Sequence, residues 1–161
     1  MDCADTDEPA GEGGAAKAAI RSPRHRAREF ALQGLYGWLL AGGECGEITR
    51  RFQSSPGYAE VDEAYFIKLM QGVTASAAAL RAQFTDAIDR PLAQLSPIEH
   101  TILLIATYEL LHRPEIPYRV VIDEAVKLAK DFGGSEGYRY VNAVLDKVAA
   151  RMRGADAGAG A

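Results

Sequence analysis

The stretch that decides the fold is residues 96–111, with the sequence SPIEHTILLIATYELL. Ser96 can accept a hydrogen bond from the backbone N–H of Glu99, and the Glu99 side chain can reach back to Ser96. This is the capping-box pattern that begins a helix. Pro97 suits the first helical position. The helix predicted over residues 98–111 is apolar on nearly all sides, and such a helix usually lies at the centre of a bundle.

The segments on both sides of this stretch also predict helices. Ser22 and Pro23 are typical of a helix start, and Gly42 and Gly43 of a helix end. The other predicted elements are a short segment at residues 47–52, a long helix at 61–84, a short segment from Pro91, a helix at 118–132 and a last helix, capped by Ser135, that ends near residue 152. No segment shows the sustained alternation of a strand, so the sequence predicts an all-α fold of six or seven helices.

The length and composition fit one globular domain with two tails. The chain has 161 residues, of which 48% are hydrophobic and 25% charged, as in ordinary soluble domains. Residues 1–21 are rich in Gly, Ala and acids, and residues 154–161 are nearly all Gly and Ala, so we expect both to be disordered. The helical domain is expected at residues 22–153. The two cysteines of the chain, Cys3 and Cys45, do not make a disulfide framework.

The acidic net charge comes from the N-terminal tail. The formal charge is −4, from 18 basic and 22 acidic residues. Residues 1–20 hold five of the acids but only one of the bases, so the remainder has 17 of each. The net charge therefore does not argue against a surface that binds nucleic acid.

Nothing in the sequence suggests targeting or membrane insertion. The first twenty residues have neither the basic start nor the apolar run of a secretory signal. The longest dense aliphatic run, residues 102–106, is far too short to cross a bilayer. Reduced thiols fit a cytosol, so we expect a cytoplasmic protein that makes no membrane contact.

The sequence contains no recognisable set of catalytic residues. His25, His100 and His112 do not stand at metal-ligand spacing with a cysteine or with one another. The phosphate-binding patterns GxxxxGK[ST] and GxGxxG after a strand do not occur. Ser96 is interpreted as a helix cap rather than a nucleophile. We expect no enzymatic activity, no cofactor and no metal.

A basic cluster opens the first helix. It contains Arg24, His25, Arg26 and Arg28, after Arg21. Cations at a helix N-terminus oppose the helix dipole, so the cluster costs stability and indicates a function. Arginine binds phosphate through two donors and stacks on bases. The structural alternative is a solvated basic start that pairs electrostatically with the acidic tail.

Aromatic and basic residues also alternate at the start of the last helix. Tyr138, Arg139 and Tyr140 precede Asn142. Aromatic rings suit single-stranded RNA because unstacked bases can stack on them, while amides read base edges. The alternative is that Tyr140 belongs to the core and Tyr138 is half-exposed.

These motifs, taken together, resemble the NusB family. The matching runs are RHRARE at 24–29 with ALQ at 31–33 and LY at 35–36, YF at 65–66 with GV at 72–73, IE at 98–99 leading to IATYEL at 105–110, PYRV at 117–120 followed by IDEAVKLAK at 122–130, and YVNAVLD at 140–146. Each run alone is modest, but their order and gaps are specific. The resemblance spans about residues 22–153.

The resemblance implies a fold and a function. NusB proteins are all-α and consist of two small helical bundles packed together. They are bacterial transcription antitermination factors without catalytic activity. They bind the single-stranded boxA element of ribosomal-RNA leader transcripts together with NusE, a protein of the small ribosomal subunit. The complex joins other Nus factors on RNA polymerase and suppresses premature termination. A homodimer is left open, because some family members self-associate.

The resemblance also implies site residues. The predicted RNA contacts are Arg24, His25, Arg26, Arg28, Glu136, Arg139 and Tyr140. The predicted NusE contacts are Tyr36, Leu40 and Glu99. His25 stands where another basic residue is common, and Tyr140 stands where Phe is usual. Glu99 is interpreted as a cap, as a partner ion pair, or as both.

The acidic tail and three other interpretations remain to be tested. Residues 1–20 could compete with RNA as an intramolecular anion. The chain could instead be a relative of the NusB-like domain of rRNA cytosine methyltransferases, a scaffold that binds NusE without RNA, or a helix-turn-helix protein that binds DNA. We expect no methyltransferase domain here, and the arginine cluster argues against a pure scaffold.

Overall fold

The computed structural model describes residues 22–154, which form six α-helices and three short 3-10 turns. The helices are α1 (Pro23–Ala41), α2 (Cys45–Gln53), α3 (Glu63–Phe84), α4 (Pro97–His112), α5 (Tyr118–Phe132) and α6 (Gly137–Arg153). The turns cover Tyr58–Glu60, Thr85–Ala87 and Leu92–Gln94. The all-α prediction is confirmed. Apart from Gly154, the two predicted tails lie outside the described residues.

Local capping explains where most helices begin and end. Ser22 Oγ accepts a hydrogen bond from His25 N (3.0 Å), and Ser96 Oγ accepts one from Glu99 N (3.1 Å). Gly42 ends α1 with φ at 74° and donates its N–H to Trp38 O (2.8 Å). The predicted caps at Ser22 and Ser96 and the glycine end of α1 are therefore confirmed.

The predicted Ser135 cap is wrong. The last helix begins at Gly137 with Glu136 in the cap position, and Glu136 makes no side-chain capping bond. Backbone carbonyls bind the first amides instead. Gly134 O accepts from Gly137 N, and Glu136 O accepts from Arg139 N, each at 3.2 Å. A tight turn therefore replaces the side-chain cap.

The helices form two packed groups that share α4 as their centre. α1, α2 and α3 pack on one another, and so do α4, α5 and α6, while α4 also contacts α1 and α3. Every residue from 100 to 110 is buried. The predictions that the helix over residues 98–111 is central and that the helices form two packed bundles are confirmed. No helix within residues 22–154 is long and apolar enough to span a membrane.

Gly72 of α3 lies directly against the Tyr108 ring of α4. A Cβ atom at this position of α3 would lie 2.3 Å from the Tyr108 ring on α4, far inside contact distance. The missing side chain lets the two helices approach until the Tyr108 ring covers the α3 backbone. This position therefore accepts glycine despite its cost in the middle of a helix.

Candidate functional site

Two arginines of the basic cluster lie at the surface. The Arg24 and Arg26 side chains are 41% and 23% exposed. Arg24 Nε is 3.9 Å from Asp62 Oδ2, and Arg26 Nη1 is 3.3 Å from Glu60 Oε1. Ion pairs between such partly exposed side chains are weak, and Arg24 Cζ also lies 4.2 Å from the centre of the Tyr65 ring. We call Arg24 and Arg26 the outer pair.

Arg28 is bound inside the protein. Its Nε lies 3.1 and 3.0 Å from the two Glu109 carboxylate oxygens, and its Nη2 lies 2.8 Å from Glu109 Oε2. The Tyr65 hydroxyl donates to the same carboxylate. Burial opposes the charge of Arg28, but the Glu109 carboxylate outweighs this effect and raises the Arg28 pKa. The guanidinium therefore stays charged inside a complete network.

His25 is the second internal member of the cluster. It is 5% exposed, and its Nδ1 is hydrogen-bonded to Glu124 of α5. Burial opposes ionisation of Glu124, but the His25 hydrogen bond and the Arg28 charge lower its pKa to about 2. We call His25 and Arg28 the inner pair. The predicted contacts of these two residues with RNA stay predictions. In the structure, Arg28 joins α1 to α4 and His25 joins α1 to α5.

The interior position of Arg28 follows from its helical register. It lies on the face of α1 that carries Ala31 and Leu35, both fully buried. The sequence placed Arg24 and Arg28 near this stripe but could not supply their partners. Glu109 was missed as a partner because it lies 81 residues away on an otherwise apolar helix.

The second predicted patch lies at the start of α6. Arg139 Nε is 2.9 Å from Glu136 Oε1, with both side chains at least 70% exposed. Tyr138 and Tyr140 are each half-buried. Tyr138 is therefore half-exposed, as the structural alternative expects, whereas Tyr140 packs against the core without being fully buried in it.

Two further cations accompany these tyrosines. Arg90 Cζ lies 4.2 Å from the centre of the Tyr140 ring, and Lys130 Nζ lies 4.9 Å from that of Tyr138. Arg90 is exposed in the segment between α3 and α4. Sequence reasoning missed both residues, because neither is near residues 138–140 in the chain. The surface around Tyr138 and Tyr140 is therefore more basic than the sequence of residues 138–140 alone indicates.

The predicted NusE contacts occupy two helices. Tyr36 is half-buried on α1, and Leu40 is 57% exposed near the end of that helix. Glu99 is half-buried on α4, where its carboxylate would lie 2.6 Å from a Cβ atom at Gly137. Glu99 therefore adjoins the start of α6, and its backbone amide is the group that Ser96 caps.

Comparison with known proteins then decides the family. The model of the NusB family matches residues 25–150. The chain belongs to the NusB family. Relatives named transcription antitermination protein NusB include that of Bordetella pertussis, which is 53% identical over 145 residues, covering 88% of this chain and 94% of that protein. The Paraburkholderia phymatum protein is 49% identical over 134 residues, covering 83% and 92%.

Solved structures show the same fold. The NusB structure from T. maritima has a TM-score of 0.70 and 24% identity, and the match covers 81% of this chain and 92% of that one. A structure of the antitermination factors NusB and NusE in complex with double-stranded RNA also has a TM-score of 0.70, at 20% identity, covering 82% and 98%. The NusB fold is therefore common to all three chains.

Proposed function

We propose that this chain is a transcription antitermination factor. It binds the single-stranded boxA RNA of ribosomal-RNA leader transcripts together with NusE and helps RNA polymerase, with other Nus factors, to suppress termination. The observation that carries the proposal is sequence identity. Relatives named transcription antitermination protein NusB are about 50% identical to this chain, and each match covers most of this chain and most of the relative. It acts in the cytoplasm and has no catalytic activity.

The outer pair and the start of α6 support the RNA part of the proposal. Arg24 and Arg26 bring two partly exposed guanidinium groups, which neutralise phosphates without reading sequence. Tyr138 and Tyr140 offer ring surface, and Arg139 with Arg90 adds charge beside them. Bases unstacked from single-stranded RNA stack on such rings.

The inner pair contributes to this surface indirectly. Arg28 and His25 are held by carboxylates of α4 and α5, so they fix the position of the helix start that carries the outer pair. We propose that Arg24 and Arg26 contact RNA and that Arg28 and His25 position them. Loss of Arg28 would then reduce RNA binding through the fold rather than through a lost phosphate contact.

The small basic patch on a helical domain of zero net charge predicts modest RNA affinity for the chain alone. Its helical domain is neutral overall, and several arginines are already paired with acids. A second protein that brings its own RNA surface raises the affinity by linking two weak contacts. Tyr36, Leu40 and Glu99 remain the proposed contacts with NusE.

Fluorescence anisotropy of a labelled boxA RNA tests this proposal. The protein is titrated with and without NusE at two salt concentrations. We expect weak binding alone and much tighter binding with NusE. The double variant R24A/R26A is compared with R50A/R51A, which removes the same charge from α2. We expect only R24A/R26A to weaken binding and to reduce the salt slope by about two.

Other results would point to other functions. Equal loss in both double variants would mean that charge acts nonspecifically. If the chain binds NusE but not RNA, it is a protein scaffold. If it binds duplex DNA as tightly as boxA RNA or more tightly, it is a DNA-binding protein. Duplex RNA belongs among the competitors, because one structural neighbour was solved with double-stranded RNA. A methyl-donor binding assay tests the methyltransferase alternative.

A further inference from the structure

Helix α5 connects the two basic surfaces, the start of α1 and the start of α6. The start of α1 contacts α5 through His25, whose Nδ1 is hydrogen-bonded to Glu124. The start of α6 contacts the same helix through Tyr138, because Lys130 Nζ lies 4.9 Å from the centre of its ring. Glu124 and Lys130 are six residues apart, which is about 9 Å along a helix. The shortest route between the two surfaces therefore crosses this part of α5.

Two lysines lie on this route. Lys127 and Lys130 are both exposed and stand one turn apart on α5. Lys127 is on the side of α1, because its Nζ lies 3.4 Å from Glu124 Oε2. Lys130 is on the side of α6, beside the Tyr138 ring. The two ammonium groups thus follow one another from the first basic surface to the second.

Lys127 has a partner, but that partner does not depend on it. The Lys127 side chain is 52% exposed, whereas that of Glu124 is 14% exposed. Burial opposes ionisation of Glu124, while the His25 hydrogen bond, the Arg28 charge and, least of all, the Lys127 charge lower its pKa. Arg28 Nη1, at 3.3 Å, and His25 stay with Glu124 when Lys127 turns away. An ion pair with one exposed, flexible member contributes little, so Lys127 can bind a phosphate at small cost.

Lys130 belongs to an aromatic surface with cations from two helices. Arg139 Cζ of α6 lies 5.4 Å from the centre of the same Tyr138 ring. Tyr138 is half-buried, and Lys130 and Arg139 are exposed beside it. Proteins that bind single-stranded nucleic acid combine such parts, because rings stack bases while cations hold the backbone.

Two acids flank the lysines and set the strength of this surface. Asp123 is exposed one turn before Lys127, and Asp131 is exposed next to Lys130. Asp131 places a carboxylate oxygen within 4.8 Å of a His25 ring nitrogen, so it faces α1. Two acids against two lysines leave no net charge to attract a polyanion by itself. The surface of α5 therefore suits a strand that is already held at both ends.

We propose that the RNA strand bound by the outer pair crosses α5 over Lys127 and Lys130 and continues to Tyr138 and Arg139 on α6. Its phosphates contact the two ammonium groups, which hold the strand without reading its sequence. The two basic surfaces are then the ends of one continuous RNA site. This inference rests on the proposed function, because it needs a bound RNA.

Anisotropy of labelled boxA RNA tests the continuous site, with and without NusE. K127A/K130A is compared with R50A/R51A, which removes two exposed cations from α2. We expect K127A/K130A to bind roughly tenfold more weakly at low salt, with a salt slope smaller by about one to two. An unrelated single strand of equal length should lose affinity by the same factor, because phosphate contacts carry no sequence information. R50A/R51A should bind like the parent.

The single variant K130A protects the test against misfolding. Lys130 is exposed and lies outside the network of Glu124, so K130A should fold and lose about half of the effect on a logarithmic scale. Parent-like RNA binding by K130A and K127A/K130A, with weak binding by R24A/R26A, would overturn the continuous site and leave the proposed function standing. A parent that binds boxA RNA neither alone nor with NusE would overturn both. Weaker binding of NusE with unchanged binding of RNA would assign the lysines to the protein partner instead. Equal loss in R50A/R51A would reduce the effect to general charge and also overturn the site.

Discussion

Arg28 and Glu109 form a buried ion pair that joins the first helix to the central one. Three of their N–O distances lie between 2.8 and 3.1 Å, and the side chains are 3% and 1% exposed. Tyr65 of α3 donates to the same carboxylate. A cation near the start of α1, which the helix dipole disfavours, is therefore matched by a charge from another helix.

Replacing Arg28 alone should lower the free energy of unfolding more than replacing Arg28 and Glu109 together. We expect R28M to lower the free energy of unfolding by about 3–5 kcal/mol, because the buried Glu109 carboxylate then loses its counter-charge and keeps only the Tyr65 hydroxyl as a partner. The double variant R28M/E109L should recover much of this loss. Urea denaturation measures both, with R26A as an exposed control. Additive losses in the double variant would contradict a coupled pair.

Gly72 should be intolerant of a methyl group. We expect G72A to destabilise the protein by about 1–3 kcal/mol, because the new Cβ would meet the Tyr108 ring at 2.3 Å. The matched control is G37A on α1, where a Cβ meets nothing within 4 Å. That change should stabilise the protein by about 0.5–1 kcal/mol through helix propensity. Thermal unfolding of the two variants should therefore shift in opposite directions.

His100 should make the protein less stable in mild acid. Burial and the nearby Arg81 lower the His100 pKa, and Arg81 Nε donates to His100 Nε2 at 3.0 Å. The unfolded chain binds this proton near pH 6.5, whereas the folded protein resists it. Stability is therefore lost as the pH falls below about 6.5.

The contribution of His100 is measured by comparison with H100Q. The free energy of unfolding of each protein is determined at pH 7.5 and 5.5. Between these two pH values we expect the free energy of unfolding to fall less in H100Q than in the parent, by up to about 1.4 kcal/mol per pH unit. Identical losses in the two proteins would assign the acid sensitivity to other groups.

The acidic N-terminal segment should compete with RNA. Deletion of residues 1–20 removes five acids and one base, so we expect tighter RNA binding at low salt and little change at high salt. A full-length variant with Asn and Gln in place of these acids separates charge from length. Unchanged affinity at low salt would remove this role.

Local signals explain the parts of the fold that the sequence predicted. The bounds of α5, residues 118–132, agree with the structure, and Ser22 and Ser96 cap their helices as expected. Ser135 failed because backbone carbonyls of its own turn bind the first amides of α6. Such competition depends on the exact turn, which residue types do not specify.

The sequence by itself determined the helices, the central place of α4 and the family, because capping, apolar periodicity and ordered motifs are properties of neighbouring residues. Only the tertiary structure decided which arginines face solvent. Arg28 finds Glu109 81 residues away, and His25 finds Glu124 99 residues away. These pairings depend on how α1, α4 and α5 pack. The sequence pattern of a helix indicates which of its residues are buried, but it does not identify the residue on another helix that each one contacts.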